Sequence, residues 1–202
     1  MNRRSKYDVR FLTQLSLLVA IEVVMKTIGL GSVPVGPLYM SFLTVPIAVG
    51  AIVLGPLAGM ILGGVFGFVS FLDAIKGASI MTSNLLAVSP VHTFILCFGT
   101  RVLLGACVGF VYQGMKRICK KNTVNDFVTS LCAPLLNTLF FMGYIVLAFY
   151  KTEYIQSLVS AKGAGNPLMF VVLLVGFQGV VEAIVCSIAG TAVAGGVKKA
   201  LR

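Results

Sequence analysis

Four ionisable side chains stand inside long apolar stretches: Glu22, Lys26, Arg101 and Glu182. Charge in apolar surroundings is costly, so such groups in a membrane segment face the interior of a helix bundle or a cavity. An arginine there presents a planar fork of donors suited to bidentate capture of a carboxylate. Asn84, Asn137 and Gln178 add side-chain amides that both donate and accept hydrogen bonds. Glu22 precedes Lys26 by four residues, the favourable order for a local ion pair on a helix, and Lys26 is also a candidate partner for an anionic ligand. Arg101 and Glu182 admit two readings. They pair and tie two helices together, or they line a ligand cavity, and a pair bordering a site satisfies both. His92 stands nine positions before Arg101, which puts it on the opposite face of a helix.

None of these residues forms catalytic machinery. There is no Walker A sequence, no serine nucleophile elbow, no zinc-binding histidine pair and no pair of carboxylates at useful spacing. The five cysteines (97, 107, 119, 132 and 186) fall mostly inside apolar runs without metal-ligand spacing, so they read as small apolar residues. The expectation is a binding protein with no metal, no cofactor and no enzymatic activity of its own.

The elements that position these groups follow from composition. Of 202 residues, 58% are hydrophobic and 11% charged, too few charges to cover a soluble domain of this size. Mean hydropathy is +1.00. The apolar residues form long runs without period-two alternation, which points to spanning helices rather than a barrel. Six runs stand out, at about Val9–Ile28, Leu38–Leu54, Leu57–Leu72, Pro90–Met115, Val124–Tyr150 and Leu168–Val197. The second and third are short and joined only by Leu54-Gly55-Pro56-Leu57. Polar stretches occupy Asp73–Ser89, which includes Asn84, and Lys151–Asn166. No cleavable signal peptide is evident.

The net charge of +10 sits in short clusters beside the apolar runs, a topology signal rather than a nucleic-acid footprint. With the N-terminus inside, the inner segments hold Arg3, Arg4, Lys6, Arg10, Lys116, Arg117, Lys120, Lys121, Lys198, Lys199 and Arg202, whereas the outer loops hold only Lys76, Lys151 and Lys162. The expected fold is therefore an all-α integral membrane protein of about six transmembrane helices. Both termini are cytoplasmic, and residues 1–202 form a single transmembrane domain. At about 1.5 Å of rise per residue, Arg101 lies roughly 16 Å and Glu182 roughly 20 Å below the outer surface, with Asn137 near the same depth. Gln178 is one turn outward of Glu182 on the same face. Gly59, Gly63 and Gly67, with Gly105 and Gly109, recur at four-residue spacing, suited to close helix packing inside the bundle or to a docking face.

Three segments together resemble a known family. The stretch Thr44-Val-Pro-Ile-Ala-Val-Gly-Ala-Ile-Val-Leu-Gly-Pro-Leu-Ala-Gly59 is similar to the span-two turn of the substrate-binding S components of energy-coupling factor transporters. Arg101-Val-Leu-Leu-Gly105 resembles their span-four arginine motif. Asn137-Thr-Leu and Gln178-Gly-Val-Val-Glu-Ala-Ile-Val185 look like the paired motifs of the pantothenate-type branch, with Gln178 standing where that branch has Asn. The similarity runs from about residue 10 to the end. It implies a subunit that binds a vitamin from outside without ATP, then docks on a transmembrane coupling subunit driven by two ATPases. It also implies residence in the bacterial plasma membrane, no nucleic-acid partner, and a mobile loop from Gly29 to Met40 over the outer cavity. The family's small-residue docking motif on the first span corresponds to Ser16 and Ala20.

The sequence thus predicts vitamin capture, with pantothenate the leading ligand and Lys26, Asn84, Arg101, Asn137, Gln178 and Glu182 as substrate-binding candidates. Pantothenate is a small monoanion with hydroxyls and an amide, which Arg101, Asn137 and Gln178 suit. Riboflavin, folate or a queuosine precursor are the alternatives within the class. Absence of Trp argues against a large flat ligand, although Phe110, Tyr112, Phe140, Phe141 and Tyr144 supply aromatic surface. Outside the class stand an ion-coupled carrier, for which no internal repeat is visible, and a membrane scaffold, which has no need of several polar groups at mid-depth.

Overall fold

The computed structural model describes residues 3–35 and 38–200. Gly36 and Pro37 of the expected gating loop, and Arg202 of the basic C-terminus, lie outside the described residues. The chain is nearly all helical. In order it forms α1 (Arg3–Thr27), strands β1 (Val33–Val35) and β2 (Leu38–Met40), α2 (Thr44–Val53), α3 (Pro56–Ile75), α4 (Ile80–Val88), α5 (Pro90–Phe94), a π-helical turn (Ile95–Gly99), α6 (Thr100–Ile118), α7 (Asn122–Phe149), α8 (Glu153–Lys162) and α9 (Pro167–Ala200).

Among the described residues, four stretches are long and apolar enough to cross a membrane: α3, the continuous rod Pro90–Ile118, α7 and α9. Their outward faces carry large exposed apolar side chains, among them Leu147, Phe177, Ile118 and Leu168, each more than three-quarters exposed. A surface of that kind is at home in lipid and a liability in water. α1 is long enough to span but carries charges at both ends.

Two sequence expectations change here. The second apolar run, Leu38–Leu54, is not one helix: it splits into β2 and the ten-residue α2. Val33, Pro34 and Val35 pair antiparallel with Met40, Tyr39 and Leu38, so a small hairpin interrupts the all-α plan. Pro34 has no N–H to give a long ladder, and it disfavours helix at the residue before it. The polar stretch Asp73–Ser89, which reads as irregular in the sequence, and the second polar stretch both hold helix. They contain α4 and α8, and α8 is bounded by Thr152, Glu153 in its first turn, Lys162 in its last and Gly163 in the left-handed conformation (φ 64°).

The glycine pattern settles into internal packing. A Cβ on Gly59 would stand 2.5 Å from the carbonyl oxygen of Gly105, and one on Gly67 2.6 Å from that of Cys97. Gly63 lies against the backbone carbonyl of Arg101. α3 and α6 therefore touch backbone to backbone, an approach only glycine allows. At the end of the bundle away from the hairpin, Lys198 of α9 forms an ion pair with the buried Asp126 of α7 and donates to the Tyr112 hydroxyl of α6 at 2.7 Å. That contact fastens three of the long helices together.

Candidate functional site

At the other end, a cavity of about 220 Å³ opens between α3, α4, α6, α7, α9, the hairpin and the end of α1. Lys26, Arg101, Asn137, Gln178 and Glu182 all line it. So do Ser41, Ser70, Asp73 and Thr82, with Leu38, Phe66, Met81, Phe141, Met142 and Val175 as the apolar wall. Mostly apolar walls with a few convergent polar groups are the usual make-up of a small-molecule site.

The local backbone aims these groups. The π-helical turn Ile95–Gly99 immediately precedes Arg101. Such wide turns inside an α-helix concentrate at functional sites because they re-aim the side chains that follow. Arg101 is buried, and one terminal nitrogen, Nη1, donates to the Leu96 carbonyl at 2.9 Å and to the Thr100 hydroxyl at 3.2 Å. Its guanidinium carbon lies 4.2 Å from the Phe141 ring centroid and 5.0 Å from that of Phe66. Two aromatic faces and two hydrogen bonds fix the plane of the fork. Its Nε has no partner among the described residues.

Across the cavity α9 departs from helical geometry at Gly176 (φ 15°, ψ −111°), two residues before Gln178. A break there turns the N-terminal end of α9 relative to the segment that carries Gln178 and Glu182. Glu182 is buried, and its Oε2 accepts the Ser41 N–H at 3.3 Å while Oε1 has no partner among the described residues.

The two ion pairs among the described residues are Lys26–Asp73 and Lys198–Asp126. This corrects one expectation. Lys26 does not pair with Glu22: it reaches across to Asp73 at the end of α3, and both Glu22 carboxylate oxygens are buried without a partner among the described residues. A side chain on a neighbouring helix outcompeted the local i,i+4 geometry, which is worth only a few tenths of a kcal/mol. Arg101 and Glu182 are not joined to each other. They share one cavity, and each keeps an unpartnered atom.

Asn84 lies elsewhere. It is exposed, donates to the Ile80 carbonyl at 2.9 Å and does not line the cavity. His92 is exposed and outside the lining, with Nδ1 3.0 Å from the Tyr144 hydroxyl. Ser16 and Ala20 both lie on the exposed side of α1, beside Leu17 and Ile21. Sequence reasoning missed Ser41, Asp73 and Phe66, and named Phe141 only as general aromatic surface. Asp73, an acid at the end of an apolar run, was the detectable one. No group of three or more His, Cys, Asp or Glu suited to a metal ion occurs among the described residues.

No curated protein gives a significant match to the chain. Residues 10–193 match the model of the family described as ECF transporter, substrate-specific component. Members of this family bind a small-molecule transport substrate, are not enzymes, and work with an ECF module of membrane and ATPase subunits. The match covers all but the two ends of the chain, and this multi-pass membrane protein belongs to the substrate-specific component family of ECF transporters.

Proposed function

We propose that this chain is the high-affinity pantothenate-binding subunit of its transporter, with the cavity beside Arg101 as the vitamin site. The observation that carries the reading is the state of Arg101: a buried guanidinium held flat by two rings, without an ion-pair partner among the described residues, facing amide side chains from two other helices. Such a cation calls for an anion from outside the chain. Arg101 takes the ligand carboxylate, Asn137 and Gln178 take its amide, and Phe66, Met142 and Val175 cover its methyl groups. The cavity's 220 Å³ lies below the usual range of roughly 300–1,000 Å³ for ligand pockets. That size supports a compact vitamin over a flavin or a pterin.

The same reading places the chain in a bacterial plasma membrane as one domain of six crossings with both termini cytoplasmic. α1, the hairpin with α2, and the four long apolar stretches supply the six. α2 alone rises about 15 Å, so the hairpin completes that crossing. The cavity end is then extracellular and the Lys198–Asp126 end cytoplasmic. Ser16 and Ala20 on the exposed side of α1 are the docking residues for the coupling subunit, where small side chains let helices approach.

The test is titration of the purified chain, without ATP, against pantothenate, riboflavin, folate and a queuosine precursor. One-to-one binding of pantothenate at least about 100-fold tighter than the others is expected. Preference for a ringed vitamin overturns the assignment.

A further inference from the structure

Three features of the cavity concern the hairpin rather than Arg101. Ser41 directly follows β2 and stands at the joint between hairpin and α2. Its N–H donates to Glu182 Oε2 at 3.3 Å, a contact between positions 141 residues apart. One turn further along α9, Cys186 Sγ lies 3.3 Å from the Thr44 hydroxyl, which itself donates to the Ser41 carbonyl at 3.0 Å. α9 thus grips the joint from two successive turns. The hairpin is held separately by Tyr39, whose hydroxyl donates to the Ala78 carbonyl in the α3–α4 connection.

Two buried oxygens remain at this joint without partners among the described residues: Glu182 Oε1 and Ser41 Oγ. Both belong to residues of the cavity lining, and both residues are more than nine-tenths buried. A buried carboxylate oxygen without a donor is expensive to maintain. Satisfying it calls for a ligand group that donates, and the adjacent serine hydroxyl suits a group that also accepts. A hydroxyl does both.

We propose that Glu182 and Ser41 form a hydroxyl-recognising subsite that ties ligand binding to the position of the hairpin. The ligand's hydroxyl donates its one proton to Glu182 Oε1 and accepts from the Ser41 hydroxyl. The other carboxylate oxygen keeps the Ser41 N–H, and with it the exit of the hairpin. One carboxylate therefore bridges ligand and hairpin, and a ligand lacking the hydroxyl leaves the bridge half made. This rests on the pantothenate reading for the identity of the ligand, since pantothenate carries two hydroxyls. The bridge between Glu182 and the hairpin does not depend on it.

The experiment compares the full chain with Ser41→Ala, Glu182→Gln and the double variant. The probes are pantothenate and the analogue in which both hydroxyls are replaced by hydrogen, the carboxylate being kept. Affinity is read by titration and hairpin exposure by amide hydrogen exchange over residues 33–41. A site built to hydrogen-bond a hydroxyl discriminates strongly against its absence, so the natural chain is expected to prefer pantothenate by at least about 100-fold. Pantothenate, but not the analogue, slows exchange in the hairpin. The preference falls below about tenfold in the double variant. An unchanged preference in that variant, or equal protection of the hairpin by both probes, overturns the proposal. Ser41→Ala keeps the N–H and the fold, so its loss of preference separates recognition from damage. If the natural chain binds neither probe, the pantothenate reading falls. The inference is then decided without ligand: Glu182→Gln must raise exchange in the hairpin by about tenfold, and no change overturns it.

Discussion

At the scale of single residues, the decisive fact is that Arg101 and Glu182 share a cavity without pairing. If they formed a structural pair, removing one would strand the other, and removing both would restore stability and binding. Here the Arg101 fork is held by Leu96, Thr100 and two aromatic rings. Arg101→Gln is therefore expected to weaken vitamin binding by about 2–5 kcal/mol, and adding Glu182→Gln does not bring binding back. Titration of the two variants checks it, and recovery in the double variant removes Arg101 from the ligand site. Arg101→Lys keeps the charge and loses the planar fork, so it recovers only part of the affinity. The Lys26–Asp73 pair is partly exposed, each side chain at 22%. Pairs of that kind contribute about 0–1 kcal/mol, so Lys26→Ala leaves the unfolding temperature in detergent nearly unchanged.

At the scale of elements, the close contact of α3 with α6 positions the arginine. Gly63 lies on the Arg101 carbonyl itself, so a methyl group there forces the helices apart. Gly63→Ala is expected to cost about 1–3 kcal/mol as an overpacked contact and to lower ligand affinity by displacing Arg101. Gly143→Ala on α7 meets nothing within 4 Å. It removes a flexible residue from a helix and leaves stability equal or better by up to about 1 kcal/mol. Thermal unfolding of both variants checks the contrast, and equal behaviour contradicts the packing account. Gly63 was legible as part of a four-residue rhythm with Gly59 and Gly67, and the long runs at 90–115, 124–150 and 168–197 became helices because lipid leaves the backbone no other partner. The hairpin was not legible, because Leu38–Met40 is as apolar as the helix after it and only Pro34 and Pro37 mark the change. Neither the π-helical turn before Arg101 nor the break at Gly176 has a sequence signature. Both arise where packing overrides local periodicity. The site followed the same division: mid-depth polar residues were visible because charge is rare in apolar runs, whereas Ser41 and Phe66 are ordinary residues made special by their neighbours.

At the scale of the whole molecule, the two ends of the bundle differ in a way that suits a subunit handing on a ligand. One end holds a cavity under a short hairpin, and the other is closed by Lys198, Asp126 and Tyr112. Members of its family work with an ECF module of membrane and ATPase subunits, so the chain is expected to bind its vitamin without ATP and to accumulate it only with those partners. Sustained uptake by liposomes holding this protein alone, driven by a proton or sodium gradient, contradicts that division of labour. The central claim is that the Arg101 cavity captures an anionic vitamin, and it is tested most directly by calorimetric titration of the purified chain with pantothenate and with its neutral alcohol analogue. The account predicts one-to-one binding of pantothenate without ATP, with the alcohol weaker by about 2–5 kcal/mol and little affected by Arg101→Gln. Equal affinity for the acid and the alcohol, or full retention of pantothenate binding in Arg101→Gln, contradicts it.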